Sequence, residues 1–321
     1  MKKIAVLTGG GDAPGMNAVI RAVVRRGIFK GLEVYGIHHG FKGLIDGDFV
    51  KMSKGSVGDI IHRGGTILQY AHFENFKTVD AQKQAIAQLI NAGIDGLIVI
   101  GGNGSFKGAE KLNTLGFPTV GIPVTVNNDI AGTEYSIGFD TAVNTAVAAI
   151  DKIRDTASSH DRTYVIEVMG RHAGDIALWS GMCSGAESII IPEADHKVED
   201  VIDRIKQGYK RGKTHSIIVV AEGVGKGIGR ELGKVIQEKT GFDTKVTILG
   251  HIQRGGSPSA YDRMMSSQMG AKAVDILVEG SKDVMVGLKN GKLIHTPFEE
   301  VVKDKHTLDL SIHQLARSLS I

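Results

Sequence analysis

The most constraining feature of this 321-residue chain is its alternation of short apolar runs with stretches of helical spacing. Lys3 to Leu7, Glu33 to Ile37, Gly96 to Ile100 and Thr119 to Ile122 are too short for buried helices and read as strands. Tyr164 to Val168, Ser188 to Ile191, Ser216 to Ala221 and Val246 to Leu249 read the same way. Strands apolar along their whole length must be covered on both faces, and a return through helices makes neighbours parallel. The expected class is therefore α/β, with mostly parallel sheets flanked by helices. At this length about two domains are expected. Ligands of such sheets lie beyond the carboxyl ends of the strands, where this chain carries glycine-rich loops.

Composition narrows the partners. A net charge of +3, from 38 basic and 35 acidic residues, argues against a dedicated nucleic-acid surface. No apolar run approaches the ~18 residues of a membrane span. The opening Met1-Lys2-Lys3-Ile4-Ala5-Val6-Leu7 is cut off by Gly9-Gly10-Gly11-Asp12 too early for a signal peptide, so a cytoplasmic location is expected. The single cysteine, Cys183, excludes an internal disulfide and is expected to be a small buried side chain.

Two loops carry phosphate-binding character. Thr8-Gly9-Gly10-Gly11-Asp12-Ala13-Pro14-Gly15-Met16-Asn17 joins a strand to a helix. Its backbone N–H groups and the helix start suit an anion, although a plain tight turn would use the same residues. Gly101-Gly102-Asn103-Gly104-Ser105-Phe106-Lys107-Gly108 repeats the arrangement after the third strand read here. Neither loop has Walker or dinucleotide spacing. The pair Asn103-Gly104 is also a sequence prone to deamidation.

The next segment, Gly121-Ile122-Pro123-Val124-Thr125-Val126-Asn127-Asn128-Asp129-Ile130, makes a specific resemblance visible. Bacterial ATP-dependent 6-phosphofructokinases read Pro-Gly-Thr-Ile-Asp-Asn-Asp here. Further stretches resemble that family in order: Lys152-Ile153-Arg154-Asp155-Thr156-Ala157-Ser158-Ser159-His160, Glu167-Val168-Met169-Gly170-Arg171-His172-Ala173-Gly174-Asp175, Val220-Ala221-Glu222-Gly223 and Gly250-His251-Ile252-Gln253-Arg254-Gly255-Gly256. The resemblance covers the whole chain. It implies two similar Rossmann-like lobes, each a mostly parallel sheet flanked by helices. Residues 1–138 and 251–301 would form the larger, nucleotide-side lobe, and residues 139–250 and 302–321 the smaller, sugar-phosphate-side lobe.

The resemblance also implies a reaction: ATP and fructose 6-phosphate to fructose 1,6-bisphosphate, a step of glycolysis, with Mg²⁺ on the nucleotide. Carried over by position, Thr125, Asn127, Asp129 and Arg171 are the catalytic set, with Asn127 standing where the family has its general base. Gly11, His72, Phe73, Asn103, Gly104 and Ser105 are nucleotide positions, with Asn103 in place of a Mg²⁺-associated Asp. Arg162, Met169, Gly170, Arg171, Glu222, Lys245, His251 and Arg254 are sugar-phosphate positions, with Lys245 in place of an Arg. Arg162 and Arg254 would reach a neighbouring subunit, which implies a homo-oligomer, in this family a tetramer. Arg21, Arg25, Asp59, Arg154, Glu187, Arg211 and Lys213 fall on the effector positions for ADP or phosphoenolpyruvate, Glu187 being associated there with Mg²⁺. Arg154 is expected to close a helix that begins near Asp140.

The departures cluster on the nucleotide side. Gly9 replaces a Ser, His72 an Arg, Phe73 a small residue and Val124 a Gly, beside the two Asn substitutions. A neutral amide is a poor Mg²⁺ ligand and cannot take a proton at neutral pH. Very low or lost activity is therefore expected. A non-catalytic regulatory paralogue, binding ADP or phosphoenolpyruvate and sugar phosphate and co-assembling with an active copy, is the alternative. Pyrophosphate-using relatives carry Lys at the position of Val124 and keep both aspartates, a pattern this chain does not share.

Overall fold

The computed structural model describes residues 1–71 and 74–320. In chain order the elements begin with β1 (Lys3–Thr8), α1 (Met16–Phe29), β2 (Glu33–Ile37), α2 (Gly40–Asp46), β3 (Phe49–Met52) and α3 (Val79–Asn91). They continue with β4 (Gly96–Gly101), α4 (Asn103–Thr114), β5 (Thr119–Pro123), α5 (Phe139–Ser159), β6 (Thr163–Val168), α6 (Asp175–Cys183) and β7 (Ser188–Ile190). Then come α7 (Val198–Lys210), β8 (Ser216–Ala221), α8 (Ile228–Thr240), β9 (Thr244–Ile248) and α9 (Ala260–Val278). The last elements are β10 (Val284–Lys289), β11 (Lys292–Pro297), α10 (Phe298–Lys303) and α11 (Leu310–Leu319).

The chain divides into two compact units. One holds residues 1–126, 130–141 and 254–306; the other holds 127–129, 142–253 and 307–321. The first unit contains a seven-stranded sheet of order β11-β10-β5-β4-β1-β2-β3. Its five central strands are parallel, while β3 and β11 run antiparallel at the two edges. The second unit contains an all-parallel sheet of order β7-β8-β6-β9.

Burial follows from that topology. Every residue of β4 and β8 is buried, as expected for strands covered on both faces. In the first unit Phe106 of α4 stacks on Phe298 of α10, with ring centroids 5.9 Å apart. A Cβ at Gly121 would come within 2.7 Å of both rings, so β5 must carry glycine there for the two helices to meet over it. In the second unit Val165, Ile218 and Val220 pack with Val201, Ile205, Leu232 and Ile236 from α7 and α8.

Three strands escape the sequence reading. β3 is short and half exposed, with a lysine in its centre. β10 and β11 form an edge hairpin around Asn290-Gly291, both at positive φ, the signature of a tight two-residue turn. Two further expectations are corrected. α5 runs five residues past Arg154, to Ser159, because nothing after Arg154 breaks it. Cys183 is exposed rather than buried, since α6 ends there with its last turn open to solvent.

Candidate functional site

In the first unit, parallel registry places the ends of β1 and β4 side by side, Thr8 opposite Ile100. The two glycine loops therefore leave the sheet together, joined by the Gly9 N–H donating to Ile100 O at 2.8 Å. The Ser105 hydroxyl stands over both turns. A Cβ at Gly9 would lie 2.6 Å from it, and one at Gly101 would lie 2.4 Å away. Gly9 is thus required by Ser105 in this chain, and the space a serine at position 9 would use is already filled. Asn103 and Gly104 form the first turn of α4, behind Gly102, whose carbonyl accepts from Ser105 and Phe106. A helix start of this kind presents N–H groups and positive potential to an anion.

Beside the second loop the first unit holds a pocket of about 460 Å³ with Gly10, Gly104 and Ser105 in its wall. Phe41, Tyr70 and Phe76 supply flat apolar surface, and Lys77, Lys107 and Lys111 supply positive charge. Gly10, Gly104, Ser105 and Lys107 belong to the two loops read from sequence; Phe41, Tyr70, Phe76, Lys77 and Lys111 carried no sequence signal. The wall near Tyr70 is held by buried Asn17, which donates to Arg63 O and Gly64 O at 3.1 Å and accepts from Ile67 N at 2.8 Å. His72 and Phe73 lie outside the described residues. Val124 is 1% exposed, its N–H bound to Gly101 O at 3.0 Å, so its side chain belongs to the packed interior of this unit. Thr125 is held on both sides, its N–H by Ile137 O and its carbonyl by the Ser136 hydroxyl.

Arg254 lies over the first loop of its own chain. A Cβ at Gly11 would meet its guanidinium at 2.4 Å, and its Nη1 donates to Asp12 O at 3.2 Å. Gly11 therefore fits because the arginine covers it. Arg21 and Arg25 occupy α1, and Asp59 sits on an exposed turn at φ 53°.

In the second unit the segment 127–129 carries Asn127, 4% exposed, and Asn128 at φ 53°. Asn128 donates to Asp175 Oδ1 at 3.0 Å, which ties this segment to the start of α6. Glu222 accepts from Arg171 N at 2.8 Å and Gly170 N at 3.2 Å, holding Arg171 in the left-handed conformation at φ 58°. Met169 N donates to Gln253 Oε1 at 2.9 Å. His251 is exposed on the 3-10 turn Gly250–Arg254. Asp243 holds two of the sugar-phosphate candidates: Arg162 Nε at 2.7 Å and Lys245 Nζ at 2.8 Å. Lys245, then Arg162, hold the Asp243 carboxyl below the usual carboxylate range. Asp175 and Gln253 stand in stretches read from sequence but not as site residues, because each acts on a partner distant in the chain, and Asp243 carried no signal at all.

Of the effector candidates, Arg154, Glu187 and Lys213 come together in the second unit. Arg154 donates to the carbonyls of Ser184 and Gly185. The Ser184 hydroxyl is buried with no hydrogen-bond partner among the described residues. Glu187, 6% exposed, accepts from Lys213 and from the Ile217 N–H, so both its oxygens are engaged. Burial, then the charges of Lys213 and Arg154, push His215 below the ordinary histidine value. Arg211 ends α7 two residues before Lys213 and is exposed.

Among the described residues no three His, Cys, Asp or Glu side chains converge to hold a metal ion. A Mg²⁺ ion usually rides on substrate phosphates and water with one or two carboxylates. No helix among the described residues is long and apolar enough to cross a membrane.

The family model for phosphofructokinase matches residues 3–277. The chain is 62% identical to an ATP-dependent 6-phosphofructokinase of Halalkalibacterium halodurans and 59% identical to that of Bacillus subtilis, over the full length of each. Its fold superposes on the phosphofructokinase of Saccharomyces cerevisiae with a TM-score of 0.89 and 34% identity, covering 100% of this chain and 48% of that one. A pyrophosphate-dependent phosphofructokinase from Marinobacter aquaeolei gives a TM-score of 0.88 at 20% identity, covering 97% of this chain and 86% of that one, a likeness of fold alone. The chain belongs to the phosphofructokinase family.

Proposed function

We propose that the chain binds ATP and fructose 6-phosphate as a 6-phosphofructokinase of glycolysis, and that it turns them over very slowly. The observation that carries the second half is Asn127, a buried amide in the segment fixed by Asn128 and Asp175. Moving the γ-phosphoryl group of ATP to the sugar 1-hydroxyl requires that hydroxyl to lose its proton. An amide at that position takes no proton at neutral pH, and loss of a general base costs about 10²–10⁴ in rate. Mg²⁺ supplies charge neutralisation on the nucleotide when bound, and Asn103 supports it with a neutral oxygen only.

The two glycine loops and the start of α4 are the proposed seat of the nucleotide phosphates, and the pocket walled by Phe41, Tyr70 and Phe76 that of its base. Arg171, set by Glu222, and the cations Arg162 and Lys245 are proposed to bind sugar phosphate, a role that family likeness also gives to His251 and Arg254. Both Arg162 and Lys245 must leave Asp243 for a phosphate. By family likeness the working form is a homotetramer in the cytoplasm, in which Arg162 and Arg254 serve a neighbouring subunit.

The grouping of Arg154, Lys213 and His215 around Glu187 favours a second reading. In it the chain is a regulatory paralogue that binds ADP or phosphoenolpyruvate there and tunes an active copy by co-assembly. A Mg²⁺ ion at Glu187 would have to displace Lys213. The test is ADP production from ATP and fructose 6-phosphate, compared with the double reversion Asn103→Asp, Asn127→Asp. We expect the reversion to be at least about a hundredfold faster. Turnover of the unmodified chain at ordinary kinase rates of about 1–100 per second would sink the slow-enzyme reading.

A further inference from the structure

The second unit carries two basic clefts apart from the substrate and effector candidates. They lie along the edge strand β7, between α7 and α11. Volumes of about 30 Å³ and 10 Å³ adjoin there, and both are lined by Ser188, Ile189, Arg204, His313 and Arg317. The larger has room for about two water-sized groups, hence for part of one small oxyanion.

The charges in this place are not balanced as those of Arg26 and Arg162 are. Arg26 pairs with Asp275 at 2.8 Å, and Arg162 pairs with Asp243 at 2.7 Å. Arg204, by contrast, is half-buried, and among the described residues no carboxylate lies within ion-pair distance of it or of Arg317. Among the described residues its hydrogen bond is a long one, Nη1 to the Ser188 hydroxyl at 3.4 Å. Burial first, then the charge of Arg317, hold its pKa below the ordinary arginine value, while Asp200 one helical turn away acts in the opposite direction. Lys197 and His196 add to the lining on the basic side and Asp195 on the acidic side. His313 donates from Nε2 to Ile189 O at 3.0 Å, which leaves its Nδ1 for a second partner. Two guanidiniums held together in a cleft, one of them partly desolvated, form the fork that a tetrahedral oxyanion satisfies with several charge-assisted bonds.

We propose that Arg204, Arg317 and His313 form a binding site for a phosphoryl group, separate from the residues assigned above to substrates and effector. Its ligand is inorganic phosphate or the phosphate of a small ester. Ser188, the first residue of β7, directly follows Glu187, so an occupant held through Arg204 lies one residue from the Lys213 ion pair.

Hydrogen–deuterium exchange on the whole chain tests this, with inorganic phosphate against chloride at equal ionic strength. Peptides from α7 and α11 should exchange more slowly in phosphate, by about tenfold when phosphate stands at ten times its Kd. The protection should persist in Arg154→Ala and disappear in Arg204→Gln and in Arg317→Gln. Arg204→Lys, which keeps the charge, should restore part of it, and a thermal melt of each variant confirms the fold. Fructose 6-phosphate and ADP run in parallel identify the source of the phosphoryl group. Protection by either ester that depends on Arg317 supports the site. Unchanged exchange in phosphate and in both esters overturns the proposal, as does protection that survives both glutamine substitutions.

Discussion

The Asn128 side chain donates to the buried carboxylate of Asp175 at 3.0 Å, across 47 residues of sequence. This contact fixes the segment that carries Asn127 to the first turn of α6. Asp175 is 2% exposed, so its removal strips a partner from the interior rather than from water. We expect Asp175→Ala to destabilise the chain by about 1–3 kcal/mol in urea melts. It should also cut fructose 6-phosphate affinity in calorimetry. An unchanged midpoint with full affinity would show that the segment is held by something else.

Asp262 accepts from Tyr135 Oη and Gly138 N on one oxygen, and from Thr141 N and Oγ1 on the other. Burial pushes its carboxyl above the usual carboxylate range, against the pull of those donors. Asp262→Asn puts an NH₂ group against two donors on one side. The expected cost is about 2–4 kcal/mol, larger than for Asp262→Ala at the level of that one contact, because donor faces donor. Denaturant midpoints of the two variants decide it.

Glu222 sets Arg171 by accepting its N–H at 2.8 Å. Glu222→Ala should weaken fructose 6-phosphate binding by about tenfold or more, the worth of a hydrogen bond to a charged group. Glu222→Gln, which keeps an acceptor oxygen, should lose less. Equal losses in the two variants would mean that Glu222 acts by its charge on the ligand rather than through the Arg171 turn.

His215 titrates below the ordinary histidine value because of burial and of Lys213 and Arg154. The unfolded chain therefore takes up this proton first as pH falls. Its contribution to stability is complete above about pH 6.5 and is lost as pH falls through the lower native value. Melting temperature should fall more steeply for the unmodified chain than for His215→Gln between pH 7 and pH 5. An ADP- or phosphoenolpyruvate-like anion on Arg154 and Lys213 should reduce that difference, since it offsets the two charges. Identical slopes without ligand would refute the assignment.

The central strands, and with them the two glycine-rich loops at their ends, were legible in the sequence because a strand buried on both faces must be apolar throughout. β4 and β8 obey that rule at every position. Edge strands answer to weaker demands. β3 is exposed at Val50 and Lys51, and β11 alternates with partly exposed residues, so neither makes a continuous run. The Asn290-Gly291 turn was the one local signal that could have revealed the hairpin.

By itself the sequence determined the α/β class, the loops at the strand ends and the residue types at the candidate site, because these depend on hydrophobic patterning and on local backbone demands. Only the tertiary structure decided which cations are already paired. Asp243 holds Arg162 and Lys245, and Glu187 holds Lys213, while Arg204 and Arg317 share a cleft in which, among the described residues, no carboxylate lies within ion-pair distance of either. Arg162 reaches Asp243 across 81 residues of sequence and Lys213 reaches Glu187 across 26, distances in space that are set by packing and that spacing along the chain does not encode.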